Sequence, residues 1–287
     1  MTMLFDGFQQ TTIHTSEMST RVRYGGDGPP LLLLHGHPQT HMMWHAVAPL
    51  LARDFTVIMP DLRGYGDSSK PPTDDQHYPY SKRAMAQDQI EIMKQLGYEQ
   101  FAVVGHDRGG RCAYRLALDH PQAVRKLAVL DIIPTLEAYR RTDKDFAMGY
   151  WHWFFLSQPH DLPERLIGAN PENYYFHGNH DLFHPEALAD YLHHIYQPET
   201  IHAMCEDYRA GATIDCEIDA ADMGQRKIQC PVLALWGEKG NLPGWYDVLG
   251  IWQDWAENVQ GQSINSGHYL PEEAPEETYQ ALYAFLK

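Results

Sequence analysis

Residues 101–112 read FAVVGHDRGGRC, and this stretch decides the fold. It begins with four apolar residues, as expected for a strand buried on both faces of a sheet. A Gly-x-Asp-x-Gly turn follows at Gly105, Asp107 and Gly109, and apolar residues then recur at helical spacing. Flanking glycines permit a sharp strand-turn-helix elbow that presents its middle side chain above the sheet. We therefore predict that Asp107 is a nucleophile; the alternative is a glycine-rich turn with an incidental aspartate.

Short apolar runs alternate with helical patterns on both sides of this turn. The runs occupy residues 31–34, 55–59, 101–104, 127–130 and 232–236. Residues 81–96 carry apolar side chains at helical spacing and end at Gly97, a residue typical of helix ends. Strands without polar alternation, separated by helices, predict an α/β domain with a mostly parallel sheet.

The middle of the chain has a different composition. From residue 134 to residue 225 the strand-like runs disappear, and aromatic and histidine residues crowd together, as at 150–155 and 174–177. We predict a helical cap at 134–225, inserted into a core formed by 1–133 and 226–287.

Composition limits the class of protein. The 287 residues carry a formal net charge of −16 and no basic run, which argues against a nucleic-acid partner. The four cysteines lack metal-site spacing and predict reduced thiols, and His193 and His194 are adjacent, so we expect no metal site. No stretch resembles a signal peptide or a membrane span, so we expect a soluble cytoplasmic protein without membrane contact.

Two further segments supply partners for Asp107. His35-Gly-His37-Pro38 follows the run 31–34, and the backbone amides of His37 and Arg108 are the expected oxyanion donors. His268 lies in a Ser-Gly-His loop near the end of the chain, where a general base is expected. In a chain with 17 histidines, a single one is by default an ordinary surface residue, but the position of His268 favours a catalytic role.

The acid that orients His268 has two candidate positions. Asp131 directly follows the run 127–130, whereas the run 232–236 is followed by glycine and then Glu238. We choose Asp131, keep Glu238 as the weaker candidate, and note that Asp131 alone is also a common turn residue. The order nucleophile, acid, histidine is that of the α/β-hydrolase fold.

An aspartate at this position favours displacement at an sp³ carbon, because a carboxylate attacks ester carbonyls poorly. The product is an ester of Asp107, which water activated by His268 would hydrolyse. Arg108 and Arg111 are three residues apart on one helix and could bind an acidic substrate through their planar guanidinium groups. Arg111 could instead form a structural salt bridge.

These motifs, with residues 150–153 (YWHW), 207–211 (DYRAG) and 131–135 (DIIPT), resemble the fluoroacetate dehalogenases, which are haloacetate dehalogenases of the α/β-hydrolase superfamily. The resemblance covers nearly the whole chain. It implies Asp107 as nucleophile, His268 as base with Asp131, and a small anionic haloacid bound by Arg108 and Arg111. It further implies that His152, Trp153 and Tyr208 donate hydrogen bonds to the departing halide, and it suggests a homodimer. At residues 35–38 the resemblance leads us to expect His-Gly-Phe-Pro, whereas this chain has His37 in place of the phenylalanine.

Two other functions remain open. An epoxide hydrolase would use the same elbow with two tyrosines, such as Tyr150 and Tyr208, to protonate the ring oxygen. A non-catalytic small-molecule receptor would share the fold but would not need the nucleophile, acid and base. Neither dehalogenation nor epoxide hydrolysis requires a cofactor, because water and substrate are the reactants.

Overall fold

The computed structural model describes residues 4–287, which form one eight-stranded sheet with helices around it. The strands are β1 (Gln9–His14), β2 (Ser19–Gly25), β3 (Pro30–Leu34), β4 (Thr56–Pro60), β5 (Phe101–His106), β6 (Val124–Leu130), β7 (Val232–Gly237) and β8 (Val259–Ile264). Their order across the sheet is β1-β2-β4-β3-β5-β6-β7-β8. The strands β3 to β8 are parallel to one another, whereas β2 pairs antiparallel with both β1 and β4.

The α/β-hydrolase fold predicted from the sequence is confirmed. The five apolar runs correspond to β3, β4, β5, β6 and β7, the central strands of the sheet. In β3, the side chains of Leu31 to Leu34 are completely buried, because helices cover both faces there. The strands β1, β2 and β8, which occupy the edges of the sheet, were not predicted.

Within residues 4–287 there are fifteen α-helices. Three lie before β6: α1 (Ala48–Leu51), α2 (Lys82–Gln95) and α3 (Arg108–Asp119). Eight lie between β6 and β7: α4 (Thr135–Arg140), α5 (Lys144–Gly149), α6 (His152–Leu156), α7 (Leu162–Gly168), α8 (Pro171–Phe176), α9 (Pro185–Ile195), α10 (Pro198–Ala212) and α11 (Ile214–Asp222). Four follow β7: α12 (Leu242–Trp245), α13 (Val248–Trp255), α14 (Leu270–Glu273) and α15 (Pro275–Leu286). Short 3-10 helices lie at His41–Trp44, Tyr78–Tyr80 and His180–Leu182.

We call residues 135–222 the helical insertion, because this segment contains eight helices and no strand of the sheet. It lies within the range predicted for the cap, although its separation from the core as a domain stays a prediction. All four cysteines are free thiols. None of the helices in residues 4–287 is long and apolar enough to cross a membrane.

Candidate active site

The elbow between β5 and α3 holds Asp107 in an unusual backbone conformation. Its φ of 46° and ψ of −116° lie outside the regions that side-chain-bearing residues favour, and such strain is concentrated at functional sites. The neighbouring glycines are required sterically. A Cβ on Gly105 would approach the Gly109 carbonyl oxygen to 2.4 Å, and a Cβ on Gly109 would approach the His35 oxygen to 2.3 Å. The close approach of three backbone segments therefore explains the Gly-x-Asp-x-Gly pattern.

The Asp107 carboxylate is bound by a backbone amide of the neighbouring strand. The N–H of His37, just beyond β3, donates a hydrogen bond to Asp107 Oδ1 at 2.9 Å. The second predicted donor, the Arg108 amide, begins α3 but makes no hydrogen bond to a carboxylate oxygen in residues 4–287. Of the two predicted oxyanion donors, the structure thus brings His37 into contact with Asp107.

Asp107 is ionised at neutral pH. Burial by itself would raise the pKa of this carboxyl group, but the charges of His268, His106, Arg111 and Arg108 outweigh burial and hold the pKa well below its ordinary range. The side chain is 8% exposed, and its carboxylate faces a cavity. A carboxylate that is both charged and accessible from a cavity can act as a nucleophile.

His268 and Asp131 meet beside this carboxylate. The Nδ1 atom of His268 lies 2.6 Å from Asp131 Oδ2, while Asp131 Oδ1 accepts the Gly237 N–H at 2.9 Å. Burial lowers the pKa of His268, but the hydrogen bond and charge of Asp131 reverse this effect, so the net shift is upward. Glu238, the weaker candidate for the acid, is exposed. The structure therefore pairs His268 with Asp131.

A cavity of about 200 Å³ connects Asp107 and His268 with the helical insertion. Its wall includes the three residues expected to bind halide, His152, Trp153 and Tyr208, and the ring of Tyr208 lies 5.9 Å from that of His152 and 6.3 Å from that of Trp153. Within residues 4–287, the polar hydrogens of these three side chains have no protein acceptor. Burial lowers the pKa of His152 to about 4 and raises that of Tyr208 well above its ordinary value, so both groups are neutral donors.

Arg108 and Arg111 lie close to this cavity but outside the residues that line it. The guanidinium carbon of Arg108 lies 4.3 Å from the centre of the Tyr208 ring, and that of Arg111 lies 4.4 Å from the centre of the Trp153 ring. Direct contact of either arginine with a substrate carboxylate stays a prediction.

The two arginines differ in their protein partners. Arg108 donates from Nε and Nη2 to the carboxylate of Asp207, at 3.0 and 2.6 Å, and the pair is almost completely buried. Arg111 makes no salt bridge within residues 4–287; its Nη1 donates to the Ile133 carbonyl oxygen and to Thr135 Oγ1. The structural salt bridge considered for Arg111 is therefore made by Arg108.

Sequence reasoning missed the residues that hold Arg108. Asp207 also accepts hydrogen bonds from Lys82 Nζ and from Tyr65 Oη at 2.7 Å. The run 207–211 contained Asp207, but nothing in the sequence indicated contact with residues 65 and 82. Four residues of the cavity wall belonged to the aromatic clusters seen in the sequence but had no assigned role: Trp151, Tyr174, Tyr175 and His177. Tyr269, which follows His268, also lines the cavity and was missed.

One group of side chains in the described part of the chain has the spacing of a metal site: Asp161, Glu164 and His202. Glu164 is already bound by Arg209, at 2.7 and 3.0 Å, and by His202 at 3.0 Å. The group lies away from the cavity wall. Its carboxylate therefore has protein partners without an ion.

Comparison with known proteins places this geometry in a family. A family profile described as alpha/beta hydrolase fold matches residues 29–275. The chain is 45% identical to a fluoroacetate dehalogenase of Burkholderia sp, over 99% of this chain and 95% of the relative. It is 38% identical to a soluble epoxide hydrolase of Corynebacterium sp. (strain C12), over 88% and 87%. A solved alpha/beta hydrolase-fold structure from Nostoc sp PCC 7120 superposes with a TM-score of 0.97 at 60% identity, over 99% of both chains. The chain therefore belongs to the fluoroacetate dehalogenase family within the alpha/beta hydrolases.

Proposed function

We propose that this protein is a hydrolytic dehalogenase of small 2-haloacids such as fluoroacetate or chloroacetate. The observation that carries the proposal is the hydrogen bond from the His37 amide to Asp107 Oδ1. In a serine hydrolase this amide would bind an oxygen of the substrate. Here it binds an oxygen of the aspartate itself, as a mechanism requires when the ester carbonyl belongs to the enzyme.

In the first step, the second oxygen of Asp107 attacks the α-carbon of the haloacid. The new C–O bond forms as the carbon–halogen bond breaks, and the halide leaves with the bonding electron pair. Asp107 needs to be ionised for this attack, and its lowered pKa supports that state. The product is a carboxymethyl ester of Asp107.

In the second step, His268 takes a proton from water, and the hydroxide oxygen attacks the ester carbonyl carbon of Asp107. Negative charge then develops on Oδ1, where the His37 N–H already lies at 2.9 Å. Asp131 stabilises the charged imidazole through its hydrogen bond to Nδ1. The tetrahedral intermediate then collapses, the bond between the carbonyl carbon and the substrate-bearing oxygen breaks, and protonated His268 gives its proton to the departing alkoxide oxygen. A 2-hydroxyacid leaves, and Asp107 loses the remaining proton from water to become a carboxylate again.

The halide leaves toward the helical insertion in this proposal. His152, Trp153 and Tyr208 offer an imidazole N–H, an indole N–H and a phenol O–H on one wall of the cavity. Fluoride has a concentrated charge and leaves poorly from carbon unless hydrogen bonds replace its hydration. Three neutral donors without protein acceptors suit this role.

Arg111 is the better candidate for attracting the substrate carboxylate. Its Nε is buried without a hydrogen-bond partner, and no carboxylate forms a salt bridge with it in residues 4–287, whereas Asp207 forms one with Arg108. We therefore expect Arg111 to contribute more to the recognition of an anion than Arg108.

An epoxide hydrolase is the second candidate. It is supported by Tyr150 and Tyr208, which both line the cavity, and by the Corynebacterium relative. A non-catalytic receptor is the third, although it would have no use for a paired His268 and Asp131. The proposed chemistry needs no cofactor, and a cytoplasmic homodimer remains our expectation.

A panel of fluoroacetate, chloroacetate and styrene oxide separates these functions. We expect halide release from the haloacids, little diol from styrene oxide, and neither product with Asp107→Asn. Diol without halide would favour the epoxide hydrolase. Ligand binding without any product would favour the receptor.

A further inference from the structure

Glu272 is a buried carboxyl group that the proposed mechanism does not use. It lies on α14, four residues after His268, and its side chain is 1% exposed. Gln39 Nε2 donates a hydrogen bond to Glu272 Oε2, and Tyr191 Oη donates to Glu272 Oε1 at 3.1 Å. Both donors are neutral, so these bonds do not compensate a buried negative charge as a salt bridge would.

No cation lies beside Glu272 in the described part of the chain. The basic group within 4 Å is His45, whose Nε2 is 3.9 Å away. Burial, with a contribution from His184, lowers the pKa of His45 to about 4, so this imidazole is neutral in the physiological range. The remaining titratable neighbours are Tyr191 on α9 and Glu273 on α14. A charged Glu272 would therefore face neutral groups and another carboxylate.

A second anomaly lies in the same cluster. Gln39 Oε1 is buried and accepts no hydrogen bond, although buried polar atoms are nearly always paired. A protonated carboxyl group has an O–H to donate, and a carboxylic acid and a carboxamide can exchange two hydrogen bonds. One proton on Glu272 would thus remove the uncompensated charge and provide an O–H in a cluster where a neighbouring carbonyl oxygen lacks a donor.

We propose that Glu272 holds a proton at neutral pH and acts in this form as a positioning residue that joins three segments around the active site. Gln39 belongs to the turn after β3 that also carries the His37 amide, Tyr191 belongs to the helical insertion, and Glu272 follows the loop of His268. The cluster therefore connects the oxyanion donor, the insertion and the general base. Burial raises the pKa of Glu272 to about 8, in agreement with the geometry.

The sign of the stability effect follows from this shift. The folded protein keeps the proton up to a pH of about 8, whereas an unfolded glutamate loses it near 4.5. The stabilisation is complete below the lower value, declines as the pH rises between the two, and is lost once the pH exceeds about 8. Glu272→Gln imitates the protonated group without titrating. The exposed Glu276→Gln is the matched control.

The first measurement is the midpoint of thermal unfolding at several pH values from 5 to 9. We expect the difference between Glu272→Gln and the wild type to grow in favour of the variant up to a pH of about 8 and then level off, while Glu276→Gln follows the wild type. Parallel curves for Glu272→Gln and the wild type would overturn the proposal.

A second measurement needs no variant. Infrared spectroscopy of the wild-type protein should show a protonated carboxyl band at pH 7 that disappears near pH 8. A spectrum without a protonated carboxyl band at pH 7 would contradict the proposal even if Glu272→Gln failed to fold.

The activity measurement rests on the proposed function, whereas the unfolding and infrared measurements do not. We expect Glu272→Gln to keep kcat/KM for haloacetates within about twofold at pH 7 and to lose the decline that the wild type shows above pH 8. An identical alkaline decline in both proteins would remove Glu272 from the positioning role. Absence of halide release from the wild type would contradict the proposed function and leave the other two measurements decisive for Glu272.

Discussion

At the residue scale, the chemistry of Asp107 depends on which group accepts the hydrogen bond from the backbone N–H of His37. That amide binds Oδ1, so the carboxylate is held without substrate, and in the proposed mechanism the same hydrogen bond would be in place when charge develops during ester hydrolysis. The positive groups around Asp107 keep it ionised. One side chain can therefore serve first as nucleophile and then as the carbonyl that water attacks.

The raised pKa of His268 predicts a separation of the two steps by pH. A protonated His268 cannot accept a proton from water. Because its pKa is raised above the ordinary 6.5, steady-state turnover should fall as the pH drops through the pKa of His268. Displacement of halide by Asp107 does not require the base. Rapid-quench measurements at low pH should show a halide burst of one equivalent per site followed by slow turnover; equal loss of burst and turnover would contradict this order of steps.

Tyr208→Phe should impair fluoride release more than chloride release. Hydrogen bonds to charged groups contribute about 1.5–3 kcal/mol, so we expect a loss of roughly 10- to 100-fold with fluoroacetate. Chloride is more weakly hydrated and should depend less on the phenol. Tyr175→Phe is the matched control, because its hydroxyl is inaccessible from the cavity. Equal losses with both halides would indicate a packing role for Tyr208.

At the scale of elements, Asp207 on α10 joins the helical insertion to the elbow helix α3. It accepts hydrogen bonds from Arg108, Lys82 and Tyr65 and is completely buried. Tyr208 is the next residue on α10, so the same anchor positions a proposed halide donor. Asp207 therefore attaches the helical insertion to Arg108, the residue that follows the proposed nucleophile.

Asp207→Asn should destabilise the protein by about 3–5 kcal/mol, because removal of this carboxylate leaves Arg108 buried without a salt bridge. Lys82 would keep only the more distant Asp215, at 3.8 Å. Chemical denaturation measures this change. Asp54, which pairs with Lys287 at the surface, provides the control, and Asp54→Asn should leave the denaturation midpoint unchanged. Comparable effects of the two substitutions would contradict the anchoring role.

The strands with continuous apolar runs could be predicted from the sequence, whereas the strands without such runs could not. The strands β3 to β7 were predicted from their apolar runs, because both of their faces are buried. In β1, Ile13 is the one buried residue, and β8 reads VQGQSI, so the apolar signal is absent from these edge strands. Their pairing depends on backbone hydrogen bonds, which composition does not reveal.

The candidate site shows the same division. Asp107, His268 and Asp131 follow strands in a known chain order, so their proximity was predictable. The partners of Asp207 come from residues 65, 82 and 108, and their meeting depends on how α10 packs against the sheet. Long-range charge pairing between helices has no periodic signature along the chain.

At the scale of the whole molecule, the cavity lies between the two parts of the chain. His37, Asp107 and His268 come from the sheet and its loops, whereas Trp153 and Tyr208 come from the helical insertion. A bound substrate would contact both parts. The net charge of −16 opposes anions at long range, so their binding has to depend on local positive groups such as Arg111.

This arrangement predicts that an anionic ligand stabilises the folded protein. With Asp107→Asn, which cannot form the ester, fluoroacetate at about a hundredfold excess over Kd should contribute about 2.7 kcal/mol and raise Tm by roughly 4–5 °C. Fluoroacetamide has nearly the same shape without the charge and should raise Tm much less. Equal stabilisation by both compounds would argue against a carboxylate site.

The most direct test of the covalent mechanism is mass spectrometry of His268→Ala after incubation with chloroacetate or fluoroacetate. Without the base, hydrolysis of the ester should stop while displacement continues, so we predict one carboxymethyl group per chain, attached to Asp107. His268→Ala protein that releases halide but carries no adduct, or carries it on a residue other than Asp107, would contradict the account.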